Sequence, residues 1–284
     1  MNNLRFMILM AAMTGLFLAI GQVLGGRDGM LIALLLAGAM NFWAWWNSDQ
    51  AVLSMYNAIE VTPGQAPELY GIVQELARRG NLPMPRVYVI DDPSPNAFAT
   101  GRDPEHAAVA ATTGILRILT REELAGVMAH ELAHVQHRDI LIGTMTATLA
   151  GAVTTLIQFS GLFSGSRSDS EHDSGRGWIA EILMMLLAPL AAMLIQMAVS
   201  RSREYGADEG GARLCGNPLW LASALNKLER GSQNIPLRGA EENPATAHLF
   251  IVSPLSAGMI SGLFSTHPPM EERIARLQEM AHSR

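Results

Sequence analysis

Thr120-Arg121-Glu122-Glu123-Leu124-Ala125-Gly126-Val127-Met128-Ala129-His130-Glu131-Leu132-Ala133-His134 opens on a helix-start signature and closes on two histidines four residues apart. Thr120, followed by acidic first-turn residues with Glu123 three positions on, is the pattern of a capped helix start. On a helix, His130 and His134 project from one face, so both imidazoles can reach one zinc ion while Glu131 reaches its bound water. A catalytic zinc takes three protein ligands and keeps a further position open. Downstream, Glu204 in Ser200-Arg201-Ser202-Arg203-Glu204-Tyr205-Gly206-Ala207-Asp208 is the best third ligand. Asp208, one turn on and on the same face, suits a carboxylate that accepts a ligand histidine's free ring N–H and fixes its tautomer. His137, His248 and His267 are the alternative third ligands. His137 is the most serious of these because it lies one turn past His134, although three ligands from one helix would close the site poorly.

Outward from this segment the chain turns apolar. Its 284 residues are 49% hydrophobic and 16% charged, against about 25% charged in an ordinary soluble domain. Only Arg5, Arg27 and Asp28 precede Asp49 among the charged residues, and none lies between Ile140 and Ser166. Phe6 to Leu24 and Met30 to Trp46 read as a transmembrane hairpin turned at Gly25-Gly26-Arg27-Asp28-Gly29, with Trp43, Trp45 and Trp46 at headgroup level. The first run exceeds a signal-peptide core and the second follows at once, which favours a retained hairpin. A third span is expected from about Ile140 to Phe163 and a fourth from about Trp178 to Ser200. Arg5, Arg138, Arg201 and Arg203 fall on one side, provisionally the cytoplasm, and Arg27, Arg167 and Arg176 on the other. Two crossings separate His134 from Glu204, which returns both to the same side. His134 then stands roughly 9 Å from the start of the third span, so the site should be membrane-adjacent.

The expected units are therefore a hairpin at 1–46, a first catalytic part at 47–139, a second hairpin at 140–200 and a second catalytic part at 201–284. Between Thr62 and Gly80 the spacing of Leu69, Ile72, Val73 and Leu76 predicts an amphipathic helix. Residues 86–90, 96–101 and 107–112 read as short strands. Asn217 and Pro218 open a helix ending near Gly231, and Thr266 precedes a final helix through Met280. Residues 232–265 read as a loop, a candidate flap over the cleft. The net charge of −6 without a basic run argues against nucleic acid as a partner. The single cysteine, Cys215, reads as a small apolar filler.

The chain resembles the HtpX-type integral-membrane zinc metalloproteases, relatives of the CAAX-prenyl endopeptidases. The resemblance rests on the amino-terminal hairpin, Asn96-Ala97-Phe98-Ala99-Thr100-Gly101, the His-Glu-x-x-His segment continuing to Asp139, and Ser202 to Asp208. It extends to Ala247-His248-Leu249-Phe250-Ile251 and to Phe264-Ser265-Thr266-His267-Pro268-Pro269 with Glu272-Arg273. It implies a mainly α membrane protein, with four transmembrane helices plus an α+β zincin-like (gluzincin) catalytic domain built on a small β-sheet. It implies one zinc ion on His130, His134 and Glu204, with Glu131 as the base that deprotonates water and later protonates the leaving amine. By the same resemblance His267 and Arg273 steady the oxyanion or a substrate carbonyl, and Asn96, Ala97, Phe98, Ala99 and Thr100 form an edge strand that holds an extended substrate by strand pairing.

The function so implied is a bacterial inner-membrane endopeptidase that cuts misfolded or unassembled membrane proteins at the cytoplasmic face, with the lipid bilayer as its other partner. Two readings compete. A site-2-type protease would carry its motif within a span, which the charges at Arg121, Glu122, Glu123, Arg138 and Asp139 oppose. A non-proteolytic scaffold or holdase would close its zinc with a fourth ligand.

Overall fold

The apolar amino-terminal runs form α1 (Asn2–Met55), two helices joined across Gly25 and Gly26. Gly26 sits at φ 56, in the left-handed region that glycine enters without a Cβ penalty. The chain is described here by a computed structural model over residues 2–148, 200–232, 237, 244–252 and 268–283. Asn41 Nδ2 donates to Thr14 Oγ1 at 3.1 Å, tying the two arms together. Leu31, Leu35, Phe42 and Trp43 point outward and are exposed. The arm Gly25–Met55 is long and apolar enough to cross a membrane. Of the third expected span, residues 140–148 are helical; its remainder, the loop 164–177 and nearly all of the fourth span lie outside the described residues.

The second arm continues past Trp46, the expected end of the span, to Met55. Packing explains the extension: Val52, Leu53 and Tyr56 are buried against Tyr88, Ile90, Phe98 and Ala110 on one face of the sheet, and Asp49 pairs with Arg86.

The sheet has four strands in the order β1-β2-β4-β3, namely β1 (Ile59–Glu60), β2 (Arg86–Ile90), β3 (Ala97–Gly101) and β4 (Ala107–Thr112). β2 runs parallel to β4, while β1 and β3 are antiparallel to their neighbours. Alternate side chains serve opposite faces: Val87, Ala97, Ala99 and Val109 join the helical core, and Tyr88, Phe98, Ala108 and Ala110 meet the end of α1.

The helical side comprises α2 (Pro67–Arg79), α3 (Thr113–Ile118), α4 (Arg121–Gln136), α5 (Arg201–Cys215), α6 (Pro218–Ser232) and α7 (Met270–His282). α2 buries the expected Leu69, Ile72, Val73 and Leu76 and stops at Gly80. α7 begins at Met270 rather than just after Thr266. Pro268 and Pro269 lack N–H groups, and a residue before proline avoids helical backbone, so the first turn forms beyond them. α4 is buried nearly all round, the signature of a helix that runs through a core rather than over it. Cys215 is buried, packed in that core.

α4 is fastened at its start by Glu123. Its carboxylate accepts from Thr120 N–H at 2.8 Å, Ser223 Oγ at 2.7 Å and Lys227 Nζ at 2.7 Å, closing the capping box and joining α4 to α6. Burial opposes the charge, but these donors outweigh it and hold the carboxyl below its ordinary value. A depressed carboxylate stabilises the fold above its unfolded value of about 4.3, and that stability is lost as pH falls through the folded value. Glu123→Gln is therefore expected to cost about 1–2 kcal/mol at pH 7. The difference from wild type should close as the pH is taken below 4, read by denaturant unfolding in detergent.

Candidate active site

His130, Glu131 and His134 lie in the last two turns of α4, and Glu204 in the first turn of α5. The two helices approach closely at Gly211, where a Cβ would stand 2.7 Å from the backbone N and 2.8 Å from the Cα of His130. Backbone cannot step aside, so only glycine allows α5 to bring Glu204 up to the histidines. Gly211→Ala is expected to cost about 1–3 kcal/mol by overpacking and to weaken metal binding as well, checked by thermal unfolding and chelator competition. An alanine variant with unchanged metal affinity would show that the helix spacing does not set the site.

His130, His134 and Glu204 each offer a donor atom, all within 4.8 Å of one another. His130 Nε2 stands 3.9 Å from Glu204 Oε2 and His134 Nε2 3.5 Å from Glu204 Oε1. Ligands bonded to zinc at about 2.0–2.2 Å in a tetrahedron sit roughly 3.3–3.6 Å apart, so the donor set fits such an ion with small adjustment. The opposite ring nitrogens are backed by carboxylates. His130 Nδ1 is 3.0 Å from Asp208 Oδ1, at an angle short of a formed hydrogen bond. His134 Nδ1 is 3.4 Å from Asp139 Oδ2. A carboxylate behind each ring leaves each Nε2 lone pair for a metal.

Asp139 was not expected in this role. It arrives there because α4 ends in a Schellman turn, with Asp139 N–H on His134 C=O at 2.9 Å and Arg138 N–H on Val135 C=O at 3.1 Å. Arg138 takes the left-handed position at φ 57, where glycine is usual. The sequence signal was faint, an acid five residues past a candidate ligand.

Asp208 is held in turn by Arg273. Arg273 Nε donates to Asp208 Oδ2 at 2.8 Å and Nη2 to Oδ1 at 2.7 Å, a bidentate pair. Its Nη1 donates to Ile251 C=O at 3.1 Å and lies 3.8 Å from Glu204 Oε2. Arg273 is fully buried and does not line the cleft. The resemblance has it steadying an oxyanion or a substrate carbonyl; its contacts are instead with the third donor and with the carboxylate behind His130. His267 lies outside the described residues. Of the other alternative ligands, His137 caps α4, and His248 Nε2 donates to Gly143 C=O at 3.1 Å; neither joins the donor cluster.

Electrostatics separate the groups. Burial pushes the Glu131 carboxyl up to about 8, with the charge of Glu204 adding and His134 and the Ala99 N–H opposing. Burial also drives His130 down to about 4. For His134 burial works the same way, but the Asp139 hydrogen bond and the charges of Glu204 and Glu131 outweigh it and raise the ring to about 9. Asp208 is likewise penalised by burial, yet Arg273 and His130 hold it down to about 2.

The expected substrate strand forms the edge of the sheet as β3, preceded by Asn96, which is buried. Ala99 lines the cleft beside Glu131, His130 and His134. Phe98 and Thr100 point the other way, into the core on the far face and toward Thr144.

The family model for peptidase family M48 matches residues 63–281. Over 283 residues the chain is 58% identical to a protease HtpX homolog of Methylibium petroleiphilum, covering 100% of this chain and 99% of that relative. Among solved structures, the crystal structure of S. mikatae Ste24p aligns with 97% of this chain at a TM-score of 0.53 and 18% identity. The chain spans 65% of that structure's length, and the likeness is one of fold.

Proposed function

The chain belongs to peptidase family M48 and is a metalloprotease, and from that premise we propose that it is a zinc endopeptidase, anchored in the bacterial inner membrane by four spans, that cuts misfolded or unassembled membrane proteins at the cytoplasmic face. The observation that carries the reading is the donor set His130, His134 and Glu204 with a carboxylate behind each histidine and Glu131 in the same cleft. The apolar arm Gly25–Met55 supports the membrane assignment.

His130, His134 and Glu204 would hold the metal, and Asp208 and Asp139 would orient the two rings toward it. When bound, zinc supplies Lewis-acid polarisation of the scissile carbonyl and of the attacking water. Glu131 does the proton work: its carboxylate takes a proton from the water and returns one to the leaving amine. With its N–H on Glu131, Ala99 of the edge strand keeps its C=O to accept from an extended peptide laid beside Glu131. A folded domain cannot present such a segment, which favours unfolded substrates. His267, by resemblance, joins in holding the oxyanion.

The test is digestion by detergent-purified, zinc-loaded protein of an unfolded soluble protein and, in liposomes, of a membrane protein in native and destabilised forms. Cleavage that a chelator stops, with the destabilised form cut at least about tenfold faster, is the expected result. Equal cutting of both forms would remove the quality-control reading and leave the endopeptidase.

A further inference from the structure

Arg273 sits close enough to Glu204 to compete for it. Its Nη1 lies 3.8 Å from Glu204 Oε2, and a buried N–H that loses one acceptor is driven toward another. A main-chain oxygen holds it back: Nη1 donates to Ile251 C=O at 3.1 Å, while Nε and Nη2 are fixed on Asp208. Were that carbonyl to shift, the same nitrogen would close on Glu204 and engage an oxygen that a metal needs. The placement of Ile251 therefore bears on the third donor.

Ile251 is the middle of a short strap, residues 250–252, that follows the 3-10 turn Pro244–Leu249. The strap meets β3 through Ile251 N–H, which donates to Ala97 C=O at 3.2 Å. Asn96, expected on the substrate strand, adds a tie from its side-chain amide to Val252 C=O at 2.9 Å. Beyond these bonds the side chains set its position, and they alternate: Ile251 enters the helical core, and Phe250 enters the core beneath the end of α1. There the Phe250 ring stands edge-on to Tyr56, with centroids 5.0 Å apart at 81°, and to Phe98, 5.1 Å apart at 74°, the arrangement that ring quadrupoles favour. Phe250 is fully buried. The Tyr56 hydroxyl also hydrogen-bonds Thr246 Oγ1 in the turn. Tyr56, one residue past α1, thus grips the turn and the strap at once.

We propose that Phe250 is a positioning residue for the metal site: packed between Tyr56 and Phe98, it places the Ile251 carbonyl that keeps Arg273 on Asp208 and off Glu204. Through it, the residue that follows the apolar arm acts on the third donor without touching it. The inference rests on the reading of His130, His134 and Glu204 as the metal donors.

The experiment measures zinc affinity by chelator competition, with denaturant unfolding in parallel, on full-length wild type, Phe250→Leu, Tyr56→Ala, the double variant and Leu69→Ala in detergent. Leu69→Ala opens a cavity on α2 in the helical core and is the control for lost stability alone. Phe250→Leu and Tyr56→Ala should each weaken zinc by about tenfold, the low end of the effect of losing a group that orients a ligand. The double variant should weaken it by little more than either, because both changes act on one contact. Leu69→Ala should unfold earlier and keep wild-type zinc affinity. If Phe250→Leu does not fold, Tyr56→Phe, which drops only the bond to Thr246, takes its place against Leu69→Ala, with a smaller loss of the same kind. Zinc affinity unchanged in the strap variants, or lowered as much in Leu69→Ala, overturns the inference. A wild type that binds no zinc overturns the donor reading and this inference with it.

Discussion

Glu131→Gln should slow peptide hydrolysis by about 10²–10⁴-fold while bound metal stays at the wild-type level. Glutamine keeps the shape of the side chain and an oxygen that can accept from Ala99, but it cannot take a proton from water. Glu131 is not among the three donors, so nothing it does for the metal is lost. Glu204→Ala is the opposite case: it removes one of three donors, and metal and activity should disappear together. The two variants are separated by elemental analysis beside kcat/KM on one peptide. Equal metal loss in both would make Glu131 a ligand and end its assignment as the base.

The largest effect on stability is expected at Arg273. It is fully buried and bidentate on Asp208, and removing one partner of such a pair leaves an uncompensated charge in the interior, at about 3–5 kcal/mol. Arg273→Met keeps most of the volume and isolates this electrostatic loss. Because Asp208 also stands behind His130, metal affinity should fall with stability, by about 10–100-fold as for other groups that orient a ligand. Arg273→Lys should recover part of the stability but little of the affinity, since an ammonium cannot make the paired contact. Denaturant unfolding and chelator competition on the same preparations check both. If Arg273→Met lost activity with stability and metal affinity intact, the residue would act on substrate after all.

How much of this was readable beforehand depended on whether a feature is local. The periodic apolar spacing of α2, the strands between Arg86 and Thr112 and the capped start of α4 are written within a few residues and appear in the structure where the pattern puts them. So does the grouping of His130, His134 and Glu204, because histidine spacing on a helix and a downstream carboxylate limit the choices. What escaped depends on contacts across the fold. Asp139 reaches His134 through a left-handed arginine that no propensity favours. Gly211 matters because of what lies opposite it on α4. Arg273 was set beside the substrate by resemblance alone, and its hold on Asp208 and Ile251 shows only once the fold places them beside it. The helix runs on past the expected end of the first hairpin for the same reason: hydropathy falls at Asn47, while helical structure persists because the next two turns are wanted by the sheet.

That last feature bears on how the enzyme can be handled. A peripheral tether can be pared from its cargo without harm, as a handle is sawn from a blade. Here the final turns of α1 are both tether and cargo: Val52, Leu53 and Tyr56 are the ceiling over Tyr88, Phe98 and Ala110. A shortened form begun at Ile59 would bare that whole face of the sheet. One begun near Asn47 would keep the ceiling and give up only the first hairpin with its contacts to Leu141 and Met145, and is the cut at which a shorter enzyme and an intact sheet can coexist.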